Sequence, residues 1–144
     1  MSVIVRFEKV DPGATIPQKG SIQAAGFDLR AIEQKIIYPK CTATVRTGLK
    51  IQLPPGYEAQ VRPRSGLAAM AGITVLNSPG TIDADYRGEV RVLIINHGSY
   101  TYNVEPGHRI AQLVIQRLPE VIIEEGVISD LTARGAGGFG STGK

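Results

Sequence analysis

The sequence lacks the features that define several classes of protein. Its single cysteine, Cys41, rules out an internal disulfide framework and is typical of a chain that works in a reducing compartment. No apolar run approaches the roughly 20 residues that a membrane-spanning helix needs. No long apolar segment precedes a small-residue cleavage site near the N-terminus, so no secretory signal is visible. We therefore expect a cytoplasmic protein with no membrane partner.

An excess of charge of one sign is also missing. The 16 basic and 13 acidic residues give a net charge of +3 and are spread along the chain. Nucleic-acid-binding domains carry clustered basic patches, so we expect no nucleic-acid partner. Hydrophobic residues make up 42% of the 144 residues, which is close to the globular average and enough to form a core. This length fits a single domain.

Helix signals are scarce, and most apolar residues occur in short β-branched runs that Gly and Pro interrupt, as is typical of strands. These runs predict strands at 3–7, 27–38, 43–53, 57–62, 73–76, 89–95, 101–104, 110–118 and 121–123. One segment, Ser65–Ala71, has good helix formers, with Ser65 at the N-cap position and Gly72 just past its end. Many short strands separated by turns predict an all-β sandwich or barrel.

The C-terminal segment 134–144 differs in composition from the rest of the chain. It contains five glycines and one large hydrophobic side chain, Phe139. Such a segment cannot bury enough surface to fix its own shape, so we predict that it is mobile unless something docks it. The expected organisation is one domain over residues 1–133, followed by a mobile tail over residues 134–144.

The segment Pro63–Ala68 joins a predicted strand to the predicted helix. A helix N-terminus offers free N–H groups and a partial positive charge, which suit a phosphate. Arg64 adds a planar charged fork, Ser65 adds a hydroxyl, and Gly66 leaves room for close backbone approach. The same residues also fit an ordinary capped helix with a surface arginine.

Turn residues lie at both ends of the segment 77–89, which predicts a strand–turn–strand hairpin. On an extended segment Asp83 and Asp85 face the same side. Two adjacent carboxylates are able to bind a metal, or one serves as a general base while the other pairs with Arg87 or Arg91. A polar hairpin tip with solvated acids is the alternative interpretation.

Two further segments carry polar residues on predicted strands. In the segment 107–114, alternation places Gln112 among core-facing residues, where it needs a hydrogen-bond partner that is either structural or a ligand. His108 precedes this strand and is interpreted as a solvated loop histidine. In the segment 25–29, Asp28 opens a strand between hydrophobic neighbours.

These segments, in this order along the chain, resemble the five motifs of the homotrimeric dUTP pyrophosphatases (dUTPases). The matching segments are 25–29, 63–68, 77–89, 107–114 and 134–141. The resemblance extends from about residue 20 to the C-terminus and implies a jelly-roll-like β-barrel with one short helix. It also implies Mg²⁺-dependent hydrolysis of dUTP to dUMP and pyrophosphate, in a homotrimer whose active sites each draw on three chains.

The resemblance also implies roles for individual residues. Asp83 matches the base that activates the water attacking the α-phosphorus, and Asp28 matches the acid that holds Mg²⁺ through bound water. The residues implied to bind the phosphates are Arg64, Ser65, Gly66, Gln112, Arg134, Gly140 and Ser141. The residues implied to bind the nucleoside are Asn77, Gly80, Thr81, Ile82, Asp83, Tyr86, Arg91 and Phe139. Within that set, Tyr86 matches the ring under the deoxyribose, and Phe139 matches the ring that stacks on uracil.

Two other functions stay open at this stage. A dCTP deaminase, alone or bifunctional, has the same fold but needs a catalytic Glu near the base, for which the sequence offers no candidate. A dUTP-sensing regulatory protein would use the closed trimer as an interaction surface. The presence of Asp28, Asp83 and Arg134 favours the enzyme.

Overall fold

The computed structural model describes residues 2–143, and its regular structure consists mainly of antiparallel strands. The strands are β1 (Arg6–Lys9), β2 (Phe27–Arg30), β3 (Lys35–Ile37), β4 (Thr42–Gln52), β5 (Tyr57–Arg62), β6 (Ile73–Val75), β7 (Gly80–Ile82), β8 (Glu89–Asn96), β9 (Tyr102–Val104) and β10 (Arg109–Arg117). The one helix of the described residues, α1, spans Ser65–Ala71. No helix in this part of the chain is long and apolar enough to cross a membrane.

The strands form two four-stranded sheets and one two-stranded ribbon. The first sheet has the order β1-β4-β8-β6, the second has the order β2-β10-β5-β7, and β3 pairs with β9 in the ribbon. Strands that are neighbours in a sheet are mostly distant in sequence, which is the pattern of a jelly roll. The prediction of an all-β, jelly-roll-like fold is confirmed, although the sheets are open and do not form one continuous closed barrel.

The core lies between the inner faces of the two large sheets. Val45, Val92 and Ile94 from the first sheet and Leu29 and Leu113 from the second are fully buried and belong to one cluster. Each such side chain stabilises the fold by roughly 1.5–3 kcal/mol relative to an exposed one. On β8 the buried residues alternate with less buried ones, which is the two-residue period that the sequence shows.

The predicted strand over residues 27–38 is two strands, β2 and β3. The chain leaves the second sheet at Ala31, whose N–H donates to the carbonyl of His108 at 2.9 Å. It enters the ribbon at Lys35. No Gly or Pro within 27–38 marks this change of sheet, and Leu29 of β2 and Ile37 of β3 are buried in the same core.

Residues 119–133, which we call the C-terminal arm, follow β10 without regular secondary structure. The strand predicted at 121–123 is therefore wrong for the single chain, because no strand within residues 2–143 pairs with this segment and an unpaired strand is not stable. The apolar residues of the arm are exposed. They are Val121, Ile122, Ile123, Val127, Ile128 and Leu131.

The ribbon is joined to the first sheet by one buried polar side chain, Asn96, at the end of β8. Its Nδ2 atom donates to the carbonyls of Ile37 and Tyr100 at 2.9 and 2.8 Å. Its Oδ1 atom accepts a hydrogen bond from the N–H of Gly98 at 2.8 Å. Burial of this amide is therefore compensated by three hydrogen bonds to the backbone.

We expect Asn96→Ala to lower the free energy of unfolding by about 3 kcal/mol, because it removes the buried hydrogen bond to the Ile37 carbonyl and the part-buried ones to Tyr100 and Gly98. Urea denaturation at a fixed protein concentration measures the loss. Asn103→Ala, at an exposed position of β9, is the matched control and should change stability by less than about 0.5 kcal/mol. Equal losses in the two variants would contradict the role given to Asn96.

Candidate active site

The segment before α1 is arranged differently from the prediction. Arg64, and not Ser65, is the N-cap residue, with an extended backbone (φ −95°, ψ 131°). This conformation brings the Arg64 guanidinium to Asp28, and the helix begins at Ser65, one residue earlier than it would with Ser65 as the capping residue. No side chain caps the helix, and the N–H groups of a first turn have no intrahelical partners. At the other end, Gly72 adopts the left-handed conformation (φ 65°) that its position predicted.

Asp28, Arg64 and Arg109 form a charged group that we call the Asp28 cluster. The Nε atom of Arg64 lies 3.5 Å from Oδ1 of Asp28, and Nη1 of Arg109 lies 3.4 Å from Oδ2. Arg64 also donates through Nη1 to the backbone carbonyl of Arg109 at 3.3 Å. Three segments that are far apart in the sequence therefore converge on one carboxylate.

Gln112 lies beside the cluster, directly opposite Asp28 in the β2–β10 pair. Its Nε2 atom donates to the carbonyl of Pro63 at 2.9 Å, which is the partner that its position required. Its amide lies so close to Gly26 that a Cβ on this glycine would be 2.2 Å from Oε1. The side chain of Gln112 therefore joins the backbones of the first two predicted motifs to β10.

A separate pocket of ≈180 Å³ lies between the end of β7 and the start of β8. We call it the β7–β8 pocket. Its lining residues are Thr81, Ile82, Asp83, Tyr86, Glu89, Val90 and Arg91. Five of these are among the residues that the resemblance implies for the nucleoside. Asn77 precedes β7 and Gly80 is its first residue, and a Cβ on Gly80 would be 3.3 Å from Nδ2 of Asn77.

The ring of Tyr86 has a fixed position beside this pocket. Its hydroxyl donates to the backbone carbonyl of Glu89 at 3.0 Å. The ring crosses Gly88 so closely that a Cβ there would lie 2.3 Å from the hydroxyl oxygen. Gly88 is therefore required by the close approach of the tyrosine.

The carboxylate of Glu89 is paired with two arginines and one backbone N–H. Nε of Arg46 lies 3.1 Å from both carboxylate oxygens, the N–H of Gly48 donates at 2.9 Å, and Nη2 of Arg91 lies 3.4 Å away. Burial raises the pKa of Glu89, but the hydrogen bonds from Arg46 and Gly48 and the nearby positive charges outweigh it. The pKa therefore lies below its ordinary value, and the group remains ionised near neutral pH.

The segment 77–89 is strand–turn–strand as predicted, but it is not a hairpin. β7 pairs with β5 in the second sheet, whereas β8 pairs with β4 and β6 in the first. Between them the N–H of Tyr86 donates to the carbonyl of Asp83 at 3.1 Å and closes a turn. Asp83 consequently lines the β7–β8 pocket while Asp85 lines a different groove. The prediction that the two carboxylates face the same side is wrong, because the backbone is not extended there.

Side chains able to ligate a metal are sparse. The described residues contain no group of three or more His, Cys, Asp or Glu side chains that could hold a metal ion. Asp28, with a side chain 21% exposed, is the carboxylate beside Arg64. Mg²⁺ is commonly bound by one or two carboxylates together with substrate phosphates and waters. The donor set fits an ion that arrives with a nucleotide, and it does not form a closed metal cage.

The C-terminal tail (134–143 among the described residues) is folded on itself in short turns. Arg134 donates through Nε to the carbonyl of Gly137 at 2.7 Å, and the N–H of Ser141 donates to the carbonyl of Gly138 at 3.0 Å. Phe139 is fully exposed. No hydrogen bond or ion pair within residues 2–143 joins the tail, the Asp28 cluster and the β7–β8 pocket to one another. One chain therefore presents three separate parts of the predicted site.

Two charged residues of these clusters have no role in the sequence predictions. Strict alternation places Arg109 on the core side of β10, and only the irregular pairing of the strand brings it to Asp28. Glu89 is an acidic residue at the start of an apolar strand, as Asp28 is. The same sequence pattern could therefore have identified Glu89 as a candidate. His108 is exposed and accepts a hydrogen bond from the N–H of Glu105, as expected for a loop histidine.

Comparison with known proteins identifies the family. The model of the dUTPase family matches residues 13–143. The chain is 54% identical over 140 residues to the deoxyuridine 5'-triphosphate nucleotidohydrolase of Wolinella succinogenes, covering 97% of this chain and 94% of that protein. It is 53% identical over 131 residues to the enzyme of the same name from Clostridium tetani, covering 91% and 90%. It resembles the structure of the Staphylococcus bacteriophage 80alpha dUTPase with dUpNHpp, with a TM-score of 0.86 and 26% identity over 98% and 99% of the two chains. The chain belongs to the dUTPase family.

Proposed function

We propose that this protein hydrolyses dUTP to dUMP and pyrophosphate. One observation carries the proposal: Asp28, Arg64 and Gln112, which the motifs imply for the metal and the triphosphate, meet at one place in the fold. The relatives from Wolinella and Clostridium, which are more than half identical, are named for this activity. No observation favours the deaminase or the purely regulatory alternative.

The proposed base is Asp83. Its carboxylate is exposed in the β7–β8 pocket and takes part in none of the ion pairs found within residues 2–143. It is therefore free to accept a proton from a water molecule. The water oxygen forms a bond to the α-phosphorus, the bond to the oxygen that bridges the α- and β-phosphates breaks, and pyrophosphate leaves. Asp83 positions this water, so that much of the barrier is removed by orientation.

The phosphate groups would be bound by the Asp28 cluster and the start of α1. Arg64 supplies a guanidinium, and the uncapped helix start supplies the N–H groups of Ser65 and Gly66. When Mg²⁺ is bound, held by Asp28 through water, it neutralises negative charge on the phosphate oxygens. Gln112 keeps Pro63, and with it Arg64, next to β10.

The uracil would be recognised by the backbone of β7. This strand lies at the edge of the second sheet, so one side of its backbone has no partner among the strands of residues 2–143. Those N–H and C=O groups, with the amide of Asn77, are available to the polar edge of a base. Cytosine has the reverse pattern at the same edge and would leave polar groups unpaired, which discriminates by about 10⁴ or more.

We further propose a homotrimer in which each active site takes parts from different chains. The three parts of the site are not in contact within one chain, and the C-terminal arm exposes apolar residues that a partner subunit would cover. The proposed division is a domain over residues 1–133 and a tail over residues 134–144 that closes on the substrate; Lys144 lies outside the described residues. Closure by Arg134, Phe139, Gly140 and Ser141 would exclude water other than the nucleophile. Location in the cytoplasm also remains a prediction.

Asp83→Asn should reduce turnover by at least about 10³-fold while dUTP binding stays within about tenfold, because the amide keeps the shape and loses the basic lone pair. Pyrophosphate release from dUTP measures the first quantity, with dCTP and dTTP as comparison substrates and a chelator as the metal-free control. Asp85→Asn is the matched variant, since Asp85 lines a different groove, and it should retain turnover. Near-normal turnover by Asp83→Asn would remove Asp83 from the base role.

Tyr86→Ala should narrow the preference for dUTP over UTP. The ring is fixed by the carbonyl of Glu89, so we expect it to leave no room for a 2'-hydroxyl. The ratio of kcat/KM for the two substrates measures the preference. Tyr100→Ala removes an exposed tyrosine away from the pocket and should leave the ratio unchanged. An unchanged ratio in Tyr86→Ala would show that the ring does not select the sugar.

Mixing two inactive variants tests the shared site. One variant carries Asp83→Asn with an intact tail, and the other ends at Ala133 with Asp83 intact. Each should be nearly inactive alone. After refolding together at equal ratio, a site is complete when its base comes from the second variant and its tail from the first. Because closed trimers have equivalent interfaces, recovery should approach about a quarter of wild-type activity, one half times one half. Zero recovery, with mixed trimers confirmed by mass, would contradict the shared site.

A further inference from the structure

Arg109 reaches Asp28 because β10 contains a bulge. Arg109 lies opposite Arg30 in β2, and Ala111 lies opposite Leu29, so that Ile110 is an extra residue without a partner. In a regular strand Arg109 would lie on the same face as Ala111, which is fully buried in the core. The extra residue moves the Arg109 side chain to the opposite face of the sheet, which is the face of Asp28 and Arg30.

The Asp28 carboxylate is divided between two arginines. Arg64 lies against Oδ1 and Arg109 against Oδ2, at 3.5 and 3.4 Å. The Asp28 side chain is 21% exposed, that of Arg64 is 26% exposed and that of Arg109 is 46% exposed, so solvent screens the Arg109 contact more than the Arg64 contact. Each oxygen therefore has its own guanidinium, and the loss of one leaves the other in place.

A bound nucleotide would contact Arg64 but not Arg109. Arg64 is the proposed phosphate ligand, and a triphosphate competes with Asp28 for its guanidinium. Arg109 has no such role in the motifs. When Arg64 turns to the phosphates, Arg109 is the remaining cation on Asp28 among the ion pairs of residues 2–143.

We propose that Arg109 is a positioning residue that holds the Asp28 carboxylate in place for Mg²⁺ when Arg64 turns to the triphosphate. This inference rests on the proposed function. Arg109 also holds Arg64 in the absence of nucleotide, through its backbone carbonyl. The bulge therefore places one residue in contact with both the proposed metal-holding and the proposed phosphate-binding side chains.

Arg109→Gln, Arg109→Lys and Arg30→Gln form a matched set. Arg30 lies on the same face, opposite Arg109, but its guanidinium donates to the carbonyl of Gly107 at 2.8 Å, and none of the ion pairs of the described chain involves it. Arg30→Gln thus removes the same charge without removing a contact to Asp28. Calorimetry measures binding of dUpNHpp with Mg²⁺ and with EDTA, and activity assays give the Mg²⁺ concentration for half-maximal rate.

In Arg109→Gln the Mg²⁺-dependent gain in dUpNHpp affinity should fall by about tenfold, and the Mg²⁺ concentration for half-maximal rate should rise by about tenfold. This is the usual effect of removing a residue that holds a metal-binding side chain in place. Affinity in EDTA should change by no more than about twofold, as for an exposed substitution. Arg109→Lys should recover part of the effect because it keeps the charge, and Arg30→Gln should resemble wild type.

Three results would overturn the inference: an equal loss in EDTA and in Mg²⁺, an equal loss in Arg30→Gln, or no change in Arg109→Gln. Circular dichroism checks that each variant is folded, and Arg109→Lys provides the test if Arg109→Gln is not. If the wild-type protein neither binds dUpNHpp nor releases pyrophosphate from dUTP, the proposed function has failed. If the wild-type protein does both and the variants do not differ from it, only the role of Arg109 has failed.

Discussion

The pairing of β10 with two strands at once is the constraint on which the proposed phosphate-binding part of the site depends. β10 lies between β2 and β5 in the second sheet, so Gln112 is opposite Asp28 on one side and Arg62 on the other. β5 leads directly into Pro63 and Arg64. The register of this one strand thus determines where Asp28 and Arg64, which are distant in the sequence, meet. A slip of one residue would turn Gln112 into the core and separate the group.

The positions of most strands and of the helix were predictable, because alternation and turn residues are local signals that burial in one core reinforces. The assignment of strands to sheets was not, as the split of 27–38 and the two sheets on either side of the 83–88 turn demonstrate. The bulge at Ile110 was not predictable from the sequence for a related reason. A bulge is defined by how two strands pair, and the residues of one strand alone do not show it. Asp28, Arg64 and Gln112 were predictable as a set only from the order of the motifs, since each motif alone also fits an ordinary structural role. Arg109 was not predicted, because its contact with Asp28 depends on the bulge.

The Asp28 cluster and the β7–β8 pocket differ in how their charged side chains are paired. In the Asp28 cluster two guanidinium groups share one carboxylate, and Arg64 is the one proposed to meet the phosphates. In the β7–β8 pocket Arg46 and Arg91 are paired with Glu89, while Asp83 is unpaired within the described chain. Within one chain, the carboxylate proposed as the base is therefore separate from the cations proposed to bind the phosphates.

The edge position of β7 has a consequence for how this protein can change over time. If the base is recognised by backbone N–H and C=O groups, as proposed, then replacing the side chain of Thr81 removes none of the groups that distinguish one pyrimidine from another. Such a reading surface is insensitive to most point mutations, and altered selectivity requires a shift of the strand itself, which its pairing with β5 opposes. Discrimination between bases is thereby protected by the same hydrogen bonds that hold the sheet together.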